Sequence, residues 1–240
     1  MDFTYDSIVS TIWEDIRSKY KVSAGKPLAI FMMGVPASGK TTSINFLLSK
    51  LQHHSIGEAQ GSRFTEDMFV HIDPDIFMEY IPTYDASNAS DFNKHGVIIS
   101  SKIMTKVLEE KYFFIYYGTG KNYKSYTTMI NKAIKNNYFT ILVHIDVELE
   151  IAMRRALERS REGRYIDPDI INSIYLALHT ENVVGRGNNK KSKTNLEILS
   201  EKVHLTYIIN NNGPVPVIAD IIDNTVQLGS GKIKNKIILN

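Results

Sequence analysis

Apolar positions recur along this chain in two rhythms, one helical and one of strand type. Ile8, Ile12, Ile16 and Tyr20 lie at helical spacing with Val9 and Trp13 beside them, which predicts an amphipathic helix over residues 3–20. Asp2, Asp6, Glu14 and Asp15 fall off that stripe and need only water. Ser23-Ala24-Gly25-Lys26-Pro27 breaks the chain, and Leu28 to Met33 follows as an unbroken apolar run of strand length. A second helical stretch carries Ile44, Phe46, Leu47, Leu48 and Leu51. Residues 53–67 are polar and contain glycine, as a surface loop would.

Further strands are expected at Met68–Ile72, Tyr112–Tyr116, Tyr138–Ile145 and Val203–Ile209. Helical segments at 89–110, 122–137, after Asp146, and at 169–183 separate them. In the first of these, Val97, Ile98, Ile99, Ile103, Met104, Val107 and Leu108 are the expected buried face. Pro168 stands at the start of the last, where its missing N–H does no harm. Strands alternating with helices of crossover length predict an α/β protein with a mainly parallel five-stranded sheet and helices on both faces. Val215–Ile222 and Ile233–Leu239 read as short extra strands, with Gly229-Ser230-Gly231 turning between them. We expect one domain over residues 1–240: an N-terminal helix (1–24), a core (25–222) and a C-terminal extension (223–240).

Composition alters this picture little. The 240 residues are 43% hydrophobic and 22% charged, with net charge +2 and no cysteine. That excludes disulfides and thiolate chemistry, and it gives no field for general nucleic-acid binding. No apolar run approaches the ~20 residues that span a bilayer, and the N-terminus is acidic and unlike a signal peptide, so a cytoplasmic protein without membrane partners is expected.

The candidate chemistry starts where the first strand ends. Gly34-Val35-Pro36-Ala37-Ser38-Gly39-Lys40-Thr41 fits G-x-x-x-x-G-K-[ST] between a strand and a helix, the P-loop pattern in its proper setting. This makes the three-layer P-loop NTPase fold the expected architecture. Glycines let backbone N–H groups close around polyphosphate, and the helix N-terminus adds unpaired donors and a favourable dipole. Gly34, Val35, Pro36, Ala37, Ser38, Gly39, Lys40, Thr41 and Thr42 are the expected ATP-binding set. Lys40 would reach the β- and γ-phosphates and Thr41 would ligate Mg²⁺. A Gly/Ser turn that fits the pattern by chance is the bland alternative.

The second strand ends in Asp73-Pro74-Asp75. A kinase acting on a hydroxyl needs a carboxylate to orient and deprotonate it, for which Asp75 is the candidate; Asp73 would assist the metal, contact substrate or cap the turn. The alternative is that both are N-cap and Asx-turn residues flanking a proline. Gly118-Thr119, after the third strand, lies against a substrate or forms a plain tight turn. Asp146, after the fourth, most simply caps the next helix. That helix carries Arg154, Arg155, Arg159, Arg161 and Arg164, the last at the break Glu162-Gly163-Arg164-Tyr165. Arg155 and Arg159 share a face at i, i+4, and with Arg164 they are candidates to neutralise charge during phosphoryl transfer. Glu150 before Arg154 and Glu158 before Arg161 would instead fit a salt-bridged exposed helix. Arg186, Lys190, Lys191 and Lys193 form either a solvated loop or a patch for a polyanion.

Together these pieces resemble the zeta-toxin family of P-loop kinases, which is itself similar to polynucleotide 5′-hydroxyl kinases and chloramphenicol phosphotransferases. The matching residues are Gly34 to Thr41, Ile72-Asp73-Pro74-Asp75-Ile76-Phe77, Ile81-Pro82-Thr83-Tyr84, Gly118-Thr119, Gly163-Arg164-Tyr165-Ile166-Asp167-Pro168 and Tyr207-Ile208-Ile209-Asn210-Asn211, over roughly residues 25 to 222. The resemblance implies ATP and Mg²⁺ as cofactors, Asp75 as the group that activates the acceptor, Lys40 on the phosphates, and Arg164 with Arg155 or Arg159 on the triphosphate. It also implies a small antitoxin protein as a partner. The family's glutamate before Gly-Thr is Tyr117 here, its following Leu-Arg is Gly120-Lys121, and Phe77-Met78 stand where an arginine is common. The expectation is therefore transfer of the γ-phosphoryl of ATP to a hydroxyl of a small molecule or nucleotide sugar, with acceptor recognition not carried over. The alternatives are a polynucleotide 5′-hydroxyl kinase, drawing on Lys121, Lys124 and the basic loop, and an ATP-binding module without turnover.

Overall fold

The computed structural model describes residues 4–51, 64–85, 89–161, 165–185 and 190–225. The chain opens with helix α1 (Tyr5–Lys19), capped by the Thr4 side chain accepting from the Ser7 amide. Its stripe is the expected one, with Ile8, Val9, Ile12, Trp13 and Ile16 buried. Then come β1 (Leu28–Met33), α2 (Lys40–Lys50), a turn of 3₁₀ helix (Glu66–Met68), β2 (Val70–Ile72), α3 (Pro74–Met78), α4 (Ala89–Glu110), β3 (Phe114–Tyr117), α5 (Tyr123–Lys135) and β4 (Phe139–Asp146). The second half contains α6 (Leu149–Ser160), α7 (Pro168–His179), β5 (Asn182–Val184), β6 (Lys191–Lys193), α8 (Asn195–Ser200), β7 (Leu205–Asn210) and β8 (Val217–Asp223).

The main sheet has six strands rather than five, in the order β2-β3-β1-β4-β7-β8. Five run parallel; β8 pairs antiparallel with β7, through partners such as Leu205 with Asp223. The segment expected as a short separate strand thus extends the sheet, because the turn after β7 folds the chain back on the open edge. All six residues of β1 are buried, as a central parallel strand covered on both faces requires. Leu28, Ile30 and Met32 pack with Ile44, Leu47 and Leu48 of α2 in one core cluster. Ala29, Phe31 and Met33 join residues of α1, α4, α5 and α7 in the other. One strand thus feeds two cores, and the result is three layers.

Several boundaries differ from expectation. Val97 is 53% and Ile98 37% exposed on α4, outside the stripe made by Ile99, Ile103, Met104, Val107 and Leu108. Helix α7 stops at His179 because Asn182–Val184 pairs antiparallel with Lys191–Lys193. Asp146 does not cap α6: pairing of β4 with β7 runs on through Asp146 and Asn210, and Glu148 holds the N-cap position. Residues Ile233–Leu239 and the Gly229-Ser230-Gly231 turn lie outside the described residues. No helix among the described residues is long and apolar enough to cross a membrane.

Candidate active site

Five parallel strands point their carboxyl ends to one edge of the sheet, where ligands bind in open α/β folds. The loop from Gly34 to Gly39 leaves β1 at that edge and enters α2. Gly39 is the N-cap of α2, in the left-handed region at φ 86°, and no side chain caps the helix. The amides of Gly39, Lys40, Thr41 and Thr42 accordingly make no hydrogen bond with any described residue. Ser38 is fully buried, and its Oγ has no partner among the described residues. Thr41 and Thr42 are exposed at the start of the helix. No acidic residue stands in that first turn, so nothing opposes an anion at the positive end of the helix.

Lys40 lies across the loop, its Nζ donating to the carbonyls of Gly34 at 3.2 Å and Val35 at 3.0 Å. Burial pushes its ammonium down to about 8, against the pull of Asp73 and then Asp75, with Arg159 adding to the depression. Lysine, both carboxylates and Arg159 therefore share one electrostatic neighbourhood. Asp73 is the N-cap of α3, its Oδ1 accepting from the Asp75 amide at 3.0 Å. Such a cap is worth about 1 kcal/mol. Asp75 stands exposed in the first turn of α3. The seat of α3 depends on a close approach: a Cβ at Gly96 of α4 would stand 2.5 Å from the Pro74 carbonyl oxygen.

On α6, Arg155 is half-buried and its Nη1 is buried without a partner among the described residues. A buried guanidinium nitrogen left unsatisfied is costly in a folded protein, and an anion would satisfy it. Arg154 and Arg159 are exposed. No ion pair joins Glu150 to Arg154 or Glu158 to Arg161, so the salt-bridged helix is not formed. Arg164 lies outside the described residues.

Separate elements of a single fold thus bring Lys40 of the P-loop together with Asp73, Asp75 and Arg159. The family model for Zeta toxin matches residues 13–184, well over half of the chain. The chain belongs to the Zeta toxin family. Among curated proteins none matches it by sequence. It is similar to a structure from the PezAT chromosomal toxin-antitoxin system of Streptococcus pneumoniae, with 19% identity and a TM-score of 0.63, covering 91% of this chain and 85% of that one. It is also similar to AvrRxo1-ORF1 in complex with ORF2, solved with ATP, at 14% identity and a TM-score of 0.55, over 94% and 69% of the two chains. At these identities the likeness shows the fold.

The end of β3 carries an aromatic pair. Tyr117 is buried, its hydroxyl 3.1 Å from His71 Nδ1 and its ring stacked on the imidazole at 5.6 Å. His71 Nε2 lies 3.6 Å from the Glu66 carboxylate. Burial raises the Tyr117 phenol far above its ordinary value, with Glu66 and Asp73 adding to the rise, and lowers His71, which Glu66 partly offsets. A neutral phenol therefore stands buried at the end of β3.

The loop after β3 is a brace. The Tyr126 hydroxyl, which donates to Met32 O, would meet a Cβ at Gly118 at 2.0 Å. Thr119 O accepts from the Gly34 amide at 3.2 Å, and Thr119 Oγ1 from the Lys121 amide. Asn195 donates to the carbonyls of Gly120 and Lys121, both at 2.9 Å, and Lys121 Nζ reaches Ser173 Oγ. Neither Asn195 nor His71 was legible as a site residue, because each acts through tertiary contacts that no local motif encodes.

The residues present fit ATP: the unpaired amides at the start of α2, Lys40, and Arg159 in its electrostatic neighbourhood. For Mg²⁺ they supply the Thr41 hydroxyl and the Asp73 carboxylate. Among the described residues no group of three or more His, Asp or Glu could hold a metal ion. A small ion that keeps its waters and leans on substrate phosphates suits such a sparse set.

Proposed function

We propose that this chain is an ATP-dependent kinase that transfers the γ-phosphoryl group to a hydroxyl of a small molecule or nucleotide sugar. The observation that carries this reading is the company of Lys40, Asp73, Asp75 and Arg159 beside the unpaired amides at the start of α2. The amides from Gly39 to Thr42 and the Lys40 ammonium would hold the β- and γ-phosphates, and Arg155 with Arg159 would gather the charge that spreads over the γ-phosphoryl oxygens. Bound Mg²⁺, held by Thr41 with Asp73 nearby, would supply further neutralisation. Asp75 would take the proton from the acceptor hydroxyl as its oxygen bonds to phosphorus and the bond to the β,γ-bridging oxygen breaks, releasing ADP. Arg164 belongs to the same arginine group in this reading.

Acceptor recognition is a separate matter. A groove of about 490 Å³ between α1, β2 and α3, lined by Asp15, Tyr20, His71, Phe77 and Tyr80 among others, shares α3 with Asp75 and offers room for part of an acceptor. A polynucleotide acceptor fits less well, because Lys121 is engaged by Ser173 and Lys193 by Glu201. The PezAT likeness motivates a small antitoxin-like partner for this chain too. The test is incubation with γ-labelled ATP and Mg²⁺ against nucleotide sugars, nucleosides and nucleotides, and 5′-hydroxyl oligonucleotides. Label in the first two pools supports the reading; label in oligonucleotides alone, weakened by salt, replaces it with the polynucleotide kinase.

A further inference from the structure

The strand-end run Asn210-Asn211-Asn212-Gly213 has no part in the chemistry above, yet it touches both halves of the phosphate site. Asn211 follows β7 and is 6% exposed. Its backbone amide donates to Asp146 O at 3.0 Å, which fixes it to the end of β4. Its side-chain Nδ2 donates to Ser38 O at 2.6 Å, inside the P-loop and 173 residues away in sequence. Its neighbour Asn212 accepts from the Glu148 amide at 2.8 Å, at the N-terminus of the arginine helix α6.

The Ser38–Gly39 peptide is a rigid trans plane, so its carbonyl and its N–H point in opposite directions. A hydrogen bond that holds Ser38 O toward β7 therefore turns the Gly39 N–H the other way, toward the phosphate cradle. Two features of the loop agree with this. Gly39 has no hydrogen bond for that N–H among the described residues, and a Cβ at Gly39 would stand 2.3 Å from Asn211 Nδ2. The second glycine of the motif thus serves both its left-handed φ and the seat of the asparagine.

We propose that Asn211 is a positioning residue for phosphoryl transfer, whose side-chain amide sets the Ser38–Gly39 peptide so that the Gly39 N–H faces the nucleotide phosphates. This rests on the reading of the P-loop as an ATP site. The partner requirement is narrow: a donor of asparagine length, since Ser38 O accepts and the Gly39 Cα leaves no further room.

ADP binding by calorimetry at pH 8 and pH 5 tests it, on the full chain, for wild type, Asn211→Ala and Asn211→Asp. Loss of the bond is expected to weaken ADP at least about tenfold at pH 8 in both variants. The aspartate variant is expected to regain most of that loss at pH 5, because burial against the Ser38 carbonyl disfavours its charged form and raises its carboxyl until it can donate to Ser38 O, while the alanine variant stays weak. Asp146 and Glu148, the carboxylates on the adjoining elements, are common to all three proteins, so the difference reports position 211. Wild-type affinity in both variants, or a deficit of Asn211→Asp that does not change with pH, overturns the proposal. Should the alanine variant fail to fold, the aspartate isostere carries the test alone. Failure of the wild type itself to bind ADP removes the ATP-site reading and the proposal together.

Discussion

In the proposed kinase the donor half of the site and the acceptor half are built in different ways. The donor half rests on backbone: amides from Gly39 to Thr42, carbonyls that hold Lys40, and a single contiguous motif that sets their geometry. The proposed acceptor half is made of side chains delivered by β2, α3 and β3, and there Tyr117 pairs with His71. A backbone cradle tolerates almost any sequence between its glycines, while a side-chain site changes its ligand with one substitution. In the proposed reaction this difference would let the phosphate cradle stay fixed while the surface that meets the acceptor varies.

If that division is correct, damage to each half has its own signature. Lys40→Ala should have the largest effect, a loss of turnover of about a thousandfold, measured as labelled phosphate transferred or as ATP hydrolysis. Arg155→Ala should lower turnover by about a hundredfold. Its thermal unfolding temperature should be unchanged or higher, since Nη1 has no partner to lose among the described residues. The next effect is on pH. The free Lys40 ammonium is held down to about 8 and must be charged to bind phosphate. ATP affinity should therefore be level below that value and fall by about tenfold per pH unit above it, in calorimetric titrations. The smallest effect belongs to the acceptor half: Tyr117→Phe should leave ATP affinity within about twofold while lowering stability by about 1 kcal/mol through loss of the His71 bond. A tenfold loss of ATP affinity in Tyr117→Phe would erase the boundary between the two halves.

The same boundary separates what could be read from the chain and what could not. The P-loop, the apolar β1 and the amphipathic α1 and α5 follow from local pattern, because 3.6- and 2-residue periods and a glycine-lysine signature are properties of contiguous residues. The sixth strand was visible only as a short strand, since its place in the sheet depends on the turn after Asn210. Val97 and Ile98 were assigned to the buried stripe of α4 because an apolar triplet gives no hint of which member faces out. Asp73 and Asp75 were legible as a pair, and their neighbourhood with Lys40 needed the fold. The hydrogen bond from Asn211 to Ser38 joins positions 173 residues apart, and a run of asparagines at a strand end carries no local sign of it.

The central claim is that Asp75 activates an acceptor beside an intact ATP site, and one paired measurement tests it most directly. Asp75→Asn and wild type are compared for transfer of γ-labelled phosphate to the acceptor pool that the wild type labels, and for ATP affinity by calorimetry. The account predicts transfer reduced at least about a hundredfold with ATP affinity within about twofold of wild type. Full transfer by Asp75→Asn would contradict it.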